Sequence, residues 1–129
     1  MSNSIHQEVQ FSAKRDRVYR ALTDAAQFSA LSGGAAAEIS QEAGGAFSCF
    51  GGMINGRQLE LIPGQRIVQA WRAGNWDAGT YSIARFELTD KGSGSLLTFD
   101  HTGFPAGQGE HLQAGWETNY WGPLKKYLA

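Results

Sequence analysis

Two apolar rhythms alternate along this chain. In residues 4–12, Ile5, Val9 and Phe11 stand among polar neighbours, the pattern of a strand with one buried face. Ser12 is a candidate cap for the helix behind it, where Val18, Tyr19 and Leu22, with Ala21 and Ala25, recur at helical spacing. Thr23-Asp24 offers a second cap, and residues 25–31 read as a short helix with Phe28 and Leu31 inward, ended by Ser32-Gly33-Gly34. The period then falls to two. Strands are predicted over residues 36–40, 46–50, 53–62, 66–72, 80–88 and 95–101. Between them lie Gly44-Gly45, Gly51-Gly52, the tight-turn pair Pro63-Gly64, a loop over 74–79 and a turn over 90–94.

The tail returns to the helical period. Leu112, Trp116, Tyr120, Leu124 and Leu128 step by four, with Tyr127 in support, and predict one helix over about residues 108–128. Pro123 lies inside it; it removes a backbone donor and crowds the preceding turn, so a kink is expected over 119–123. Gly115 and Gly122 weaken the same helix, and are read either as close packing on a sheet or as room for a ligand. The order β-α-α-β-β-β-β-β-β-α describes an α+β chain: a curved antiparallel sheet around a long C-terminal helix, with space for a hydrophobic cavity between them. No repeat, linker or shift of composition divides residues 1–129, so one domain is expected.

Composition narrows the function. The chain is 42% hydrophobic and 18% charged, which excludes a disordered segment. A net charge of −1 leaves no basic field for a phosphate backbone, so nucleic acid is not an expected partner. The single cysteine, Cys49, cannot close an internal disulfide and is read as a buried small hydrophobe; it fits a reducing compartment. No basic and apolar leader stands before the first strand, and no apolar run is long enough to span a membrane, so a cytoplasmic location is expected.

Several stretches carry a likeness to a known family. They are Phe50-Gly51-Gly52-Met53-Ile54-Asn55-Gly56, Leu61-Ile62-Pro63, Ile67-Val68 running to Trp71-Arg72, and the loop residues Trp76, Asp77 and Gly79. Gly103-Phe104-Pro105 and Gly115-Trp116 with Tyr120-Trp121 complete the set. With these the chain resembles the START-like (SRPBCC) superfamily of helix-grip proteins, which includes the birch-pollen-allergen type. Within it the likeness is to the C-terminal domain of the activator of heat-shock protein 90 ATPase and its free-standing bacterial relatives. The resemblance implies the helix-grip fold and, by analogy, a chaperone as a partner. The eukaryotic activator needs an additional N-terminal domain to stimulate the chaperone; this chain begins at its own first strand and is expected to lack it, so the resemblance implies shape rather than co-chaperone activity.

Candidate chemistry comes from strand parity. Phe86, Leu88, Leu97 and Phe99 form one apolar face, and on that register Ser82, Ala84 and His101 point inward too. A hairpin at Pro63-Gly64 that pairs Ile62 with Ile67 sets Glu60 opposite Gln69 and Gln58 opposite Trp71. If Trp71 faces the grip, Gln58, Glu60 and Gln69 form a polar strip on its wall; the alternative is that Glu60 is solvated at the sheet's open end or that the register slips by one. The candidate ligand-binding residues are therefore Phe47, Gln58, Glu60, Gln69, Trp71, Ser82, Phe99, His101, Trp116 and Tyr120. The leading expectation is binding of a small hydrophobic or amphipathic molecule by a monomer or homodimer. Glu60 and His101 as an acid/base pair would make the chain a cyclase- or hydrolase-like enzyme instead, and an exposed apolar surface around Trp76 would favour a chaperone-assisting protein. His6, His101 and His111 lack metal-ligand spacing, no Gly-x-Ser-x-Gly elbow exists, and neither Gly-Gly pair opens a helix to cradle phosphate; no metal, cofactor or catalytic residue is expected.

Overall fold

The structure, a computed structural model, describes residues 4–129. Seven strands form one sheet: β1 (Ser4–Phe11), β2 (Glu38–Ile39), β3 (Ala46–Cys49), β4 (Ile54–Ile62), β5 (Arg66–Ala73), β6 (Ser82–Lys91) and β7 (Gly94–Thr102). Their spatial order is β1-β7-β6-β5-β4-β3-β2, and every pairing is antiparallel. Helices α1 (Arg15–Thr23) and α2 (Ala25–Leu31) fill the crossover from β1 to β2. The last helix, α3, runs over residues 109–128, 20 residues long, and packs across the curved sheet, as the helix-grip reading expects.

The sheet's inner face carries the apolar half of each alternation. Phe86 pairs with Phe99 and Leu88 with Leu97, all buried, and Ser82, Ala84 and His101 face inward with them. The Asp24 cap is also as expected: its carboxylate accepts from the Gln27 amide at 3.1 Å. Ser12 does not cap α1. The helix starts at Arg15 behind Lys14, and the acceptor for the Arg15 amide is the carboxylate of Asp90, 3.0 Å away at the end of β6.

The β4–β5 register differs from the one counted from the turn. Pro63 and Gly64, the latter at φ 73°, form a tight turn in which the Gln65 amide donates to the Ile62 carbonyl at 2.8 Å. Ile62 faces Arg66, Leu61 faces Ile67 and Glu60 faces Val68; a bulge then takes up Leu59, and Gln58 faces Gln69. Two consecutive residues, Leu59 and Glu60, thus share the outer side, and Glu60 is not part of an inward strip. Its side chain is 46% exposed and is paired with Arg66 at 3.2 Å, as Glu87 is at 3.0 Å.

α3 adapts to Pro123 by widening rather than by breaking. Gly109–Gly115 and Gly122–Leu128 are α-helical, while Trp116–Trp121 is a π-helical turn. At its end the Gly122 amide donates to the carbonyl of Glu117, five residues back. A strict four-residue apolar step drifts around an α-helix. The wider turn takes up an extra residue, so Leu112, Trp116, Tyr120, Leu124 and Leu128 all stay buried and Trp121 joins them, leaving Tyr127 37% exposed. Among the described residues no helix is long and apolar enough to cross a membrane.

Candidate functional site

One end of the grip is open. There the end of β5, the 74–79 loop, the segment before β4 and the first half of α3 surround a cleft of about 680 Å³. Its floor is aromatic: Trp71 on β5, Trp116 and Tyr120 on α3, and Trp76 from the loop. Trp71 and Trp76 meet edge-on at 5.6 Å, and Trp71 and Trp116 lie 5.3 Å apart. Its lip is Phe50-Gly51-Gly52-Met53. Phe50, Gly51 and Gly52 are all left-handed, at φ 54°, 67° and 96°. A phenylalanine in that region costs roughly 1 kcal/mol. It is held there by ring contacts with Phe28 at 5.5 Å and Tyr120 at 5.4 Å. The rest of the rim is polar: Asn75 beside the lip, where the Gly74 amide donates to the Met53 carbonyl at 2.7 Å, and Gln108, His111 and Asn119 on the α3 side.

Arg72 fixes the loop that brings in Trp76. Its guanidinium donates to the carbonyls of Trp76 at 2.6 Å, Asp77 at 3.2 Å and Thr80 at 3.3 Å. A planar fork with several donors can tie down several carbonyls at once.

Behind the floor lies a buried polar chain whose proton positions can be worked out. An indole N–H only donates, so Nδ1 of His101 must accept from Nε1 of Trp116, 3.0 Å away. The ring hydrogen is then on Nε2, which donates to the Ser82 hydroxyl at 2.6 Å, and Ser82 in turn donates to the Trp71 carbonyl at 3.0 Å. A second proton on His101 would have to point at the indole N–H. Burial alone already pulls the imidazole down to about 4. The neutral imidazole is therefore a structural tie between β7, β6 and α3, with both nitrogens occupied. Tyr120 accepts from Nε1 of Trp71 at 3.4 Å, and burial holds its phenol well above the usual tyrosine range. Cys49 is buried, and the same effect pushes its thiol up to about 12, which makes it unreactive at neutral pH.

This locked histidine predicts an acid-labile term. In the unfolded chain His101 takes up a proton near 6.5, but in the native state only near 4. Between these values the unfolded state binds more protons, so its contribution is complete above about 6.5, declines as pH falls, and levels off below about 4. On the order of 3 kcal/mol is at stake. Urea melts of the native protein and His101→Gln at pH 7, 5.5 and 4.5 check this: the gap between the two should shrink with acidification, and a constant gap would refute it.

The sequence candidates separate into four places. Trp71, Trp116 and Tyr120 line the cleft. Phe47 and Gln69, with Tyr120 again, line a separate hollow of about 10 Å³, room for one water at most. Gln58, Ser82, Phe99 and His101 are buried in the packing; Gln69 donates to Gln58 at 3.2 Å, and Gln58 to the Ser40 carbonyl at 3.3 Å. Glu60 is on the outer face, so the acid/base pair of Glu60 with His101 is not assembled. The lip and the polar rim were not among the candidates. Phe50-Gly51-Gly52-Met53 carried a signal as one of the stretches that resemble the family, whereas Asn75, Gln108 and Asn119 look like any exposed polar residue. Among the described residues, no three of His, Cys, Asp and Glu gather to hold a metal ion.

The model of the family "Activator of Hsp90 ATPase homolog 1-like protein" matches residues 12–129. The chain belongs to this family. An activator of 90 kDa heat shock protein ATPase homolog from Dictyostelium discoideum is 40% identical over 81 residues, 60% of this chain but 21% of that protein, so the chain spans about a fifth of the length of this relative. The crystal structure of an HSP90 activator from Plasmodium falciparum superposes with a TM-score of 0.93 at 27% identity, covering 98% of this chain and 96% of that one. The solution structure of the Aha1 dimer from Colwellia psychrerythraea shares the fold, with a TM-score of 0.82 at 17% identity over 99% and 96% of the two chains. The family accounts for the helix-grip architecture that the residue pattern predicts.

Proposed function

We propose that the chain binds a small hydrophobic or amphipathic molecule in the cleft between the sheet and α3. The observation that carries this is the cleft itself: about 680 Å³, within the size range of ligand pockets, with an aromatic floor and a few polar groups at the rim. Trp71, Trp116 and Tyr120 are its contact residues, and the reading needs no catalytic group and no cofactor. A reducing cytoplasm is its setting, where Cys49 stays a thiol. The test has two parts: native mass spectrometry of protein purified from its own host, and NMR titration with neutral apolar probes. The expected result is a co-purified molecule, or amide shifts confined to the cleft. Shifts scattered over the surface, with no bound molecule, would defeat the reading.

A second reading is favoured by a different observation, the likeness to the Plasmodium HSP90 activator along almost the whole of both chains. In it the chain associates with an Hsp90-type chaperone, as a monomer or as a homodimer like the Colwellia relative. The measurement is direct binding to a purified Hsp90-type chaperone by calorimetry, with ATPase turnover followed alongside. A saturable binding isotherm supports the association, with or without a rise in turnover, and no binding at high protein concentration removes it.

A further inference from the structure

Given a small molecule in the cleft, the chemistry of the walls narrows its class further than size alone; this selectivity rests on the ligand-binding reading above. The two buried indoles of the floor have both turned their N–H groups away: Trp71 donates to Tyr120 and Trp116 to His101. These two indoles therefore offer ring surface and no donor. Trp76 adds a third, half-buried ring, held in place by the Arg72 fork on its own carbonyl. Neither a carboxylate nor an ammonium or guanidinium lines the cleft. His111 at the rim is the one histidine among its lining residues, and none of the floor side chains is ionic, so a charged group seated on the floor would lose water and meet no counter-charge there. Substituents at the mouth can be held by hydrogen bonds from the amides and the imidazole of the rim.

We propose that the cleft selects uncharged, flat molecules of more than one aromatic ring, seated against Trp71, Trp76 and Trp116, with hydroxyl or carbonyl substituents turned to Asn75 and Asn119. Aliphatic chains fill the same space but gain nothing from the ring quadrupoles, and carboxylates are penalised by burial.

Three probes of comparable bulk test this on the full chain by NMR titration: 1-hydroxypyrene, pyrenebutyrate and dodecanol. Hydroxypyrene is expected to bind about tenfold or more tighter than either of the others, with shifts at the cleft. Trp76→Leu, which keeps an apolar side chain and removes the ring, should weaken hydroxypyrene roughly 5- to 10-fold and dodecanol by clearly less. Asn119→Lys, on an exposed helix position, should raise pyrenebutyrate affinity toward that of hydroxypyrene, and keeps the proposal testable if the loop variant does not fold. Dodecanol binding in the cleft as tightly as hydroxypyrene would overturn the aromatic selectivity while the ligand-binding reading stands. Pyrenebutyrate binding equally well, or failing to respond to Asn119→Lys, would overturn the exclusion of charge. No cleft shifts with any probe would overturn both this inference and the reading beneath it.

Discussion

Trp116→Ala is expected to destabilise the protein by about 4 kcal/mol or more. Two losses coincide. The indole is 2% exposed although one edge meets the cleft, and it packs against Phe99 at 4.3 Å, Tyr120 at 4.2 Å and Trp121 at 5.5 Å. Truncating a large buried aromatic to alanine costs about 3–5 kcal/mol. The same change strips His101 of the donor to Nδ1, leaving a buried acceptor unpaired, worth about 1–3 kcal/mol by itself. The two are not additive, because water entering from the cleft can satisfy the imidazole. Trp116→Phe separates them: it keeps most of the ring contact and removes only the N–H. Denaturant melts of the three proteins decide the matter. A loss below about 1 kcal/mol for the alanine variant would mean that the indole lines empty space rather than holding α3 to the sheet.

Gly56→Ala is expected to cost about 3 kcal/mol or more, through backbone collision. Gly56 sits on β4 directly opposite Trp71. An added Cβ would land on the carbonyl oxygen of Ala70 and come within 3.0 Å of the Phe47 ring. The blocking atom belongs to the neighbouring strand, which cannot retreat without opening the ladder beneath the cleft floor. Gly79→Ala is the contrasting case. Gly79 has nothing within 4 Å of a Cβ, but its φ of 82° disfavours any side chain. It should lose only about 1 kcal/mol, as local strain. Urea melts of both variants check the order, and equal losses would show that β4 and β5 can part at Gly56.

The architecture was legible because it rests on pairs that alternate cleanly. Phe86 with Phe99 and Leu88 with Leu97 declare one inner face whatever the turns do, and the α3 residues declare the other half of the core. The site was legible only in its floor. Trp71, Trp116 and Tyr120 come out of those same two periods. For Glu60 the structure takes the alternative reading, an exposed carboxylate on a slipped register, because parity counting assumes one residue per rung and a bulge breaks that assumption without leaving a mark in composition. The cap on α1 escaped for another reason. Its acceptor, Asp90, is 75 residues away in sequence, beyond the reach of local patterns. Where a kink is expected over 119–123, the structure has a π-helical turn over Trp116–Trp121 that only overlaps that stretch, a different resolution of the missing hydrogen bond. His101 was correctly turned inward, yet its neighbours show a tie rather than a reactive group, and that is set by the partners of both nitrogens.

The bulge at Leu59 bears on the whole vessel. Upstream and downstream of it, the apolar positions of β4 are out of phase, and a single surplus residue lets each half keep its own proper side. A bulged strand also bends and coils more tightly than a regular one, so this surplus helps set the girth within which α3 is clasped. Leu59 itself is 49% exposed. The curvature of the inner wall is thus influenced from the outer skin, by a residue whose side chain faces away from it.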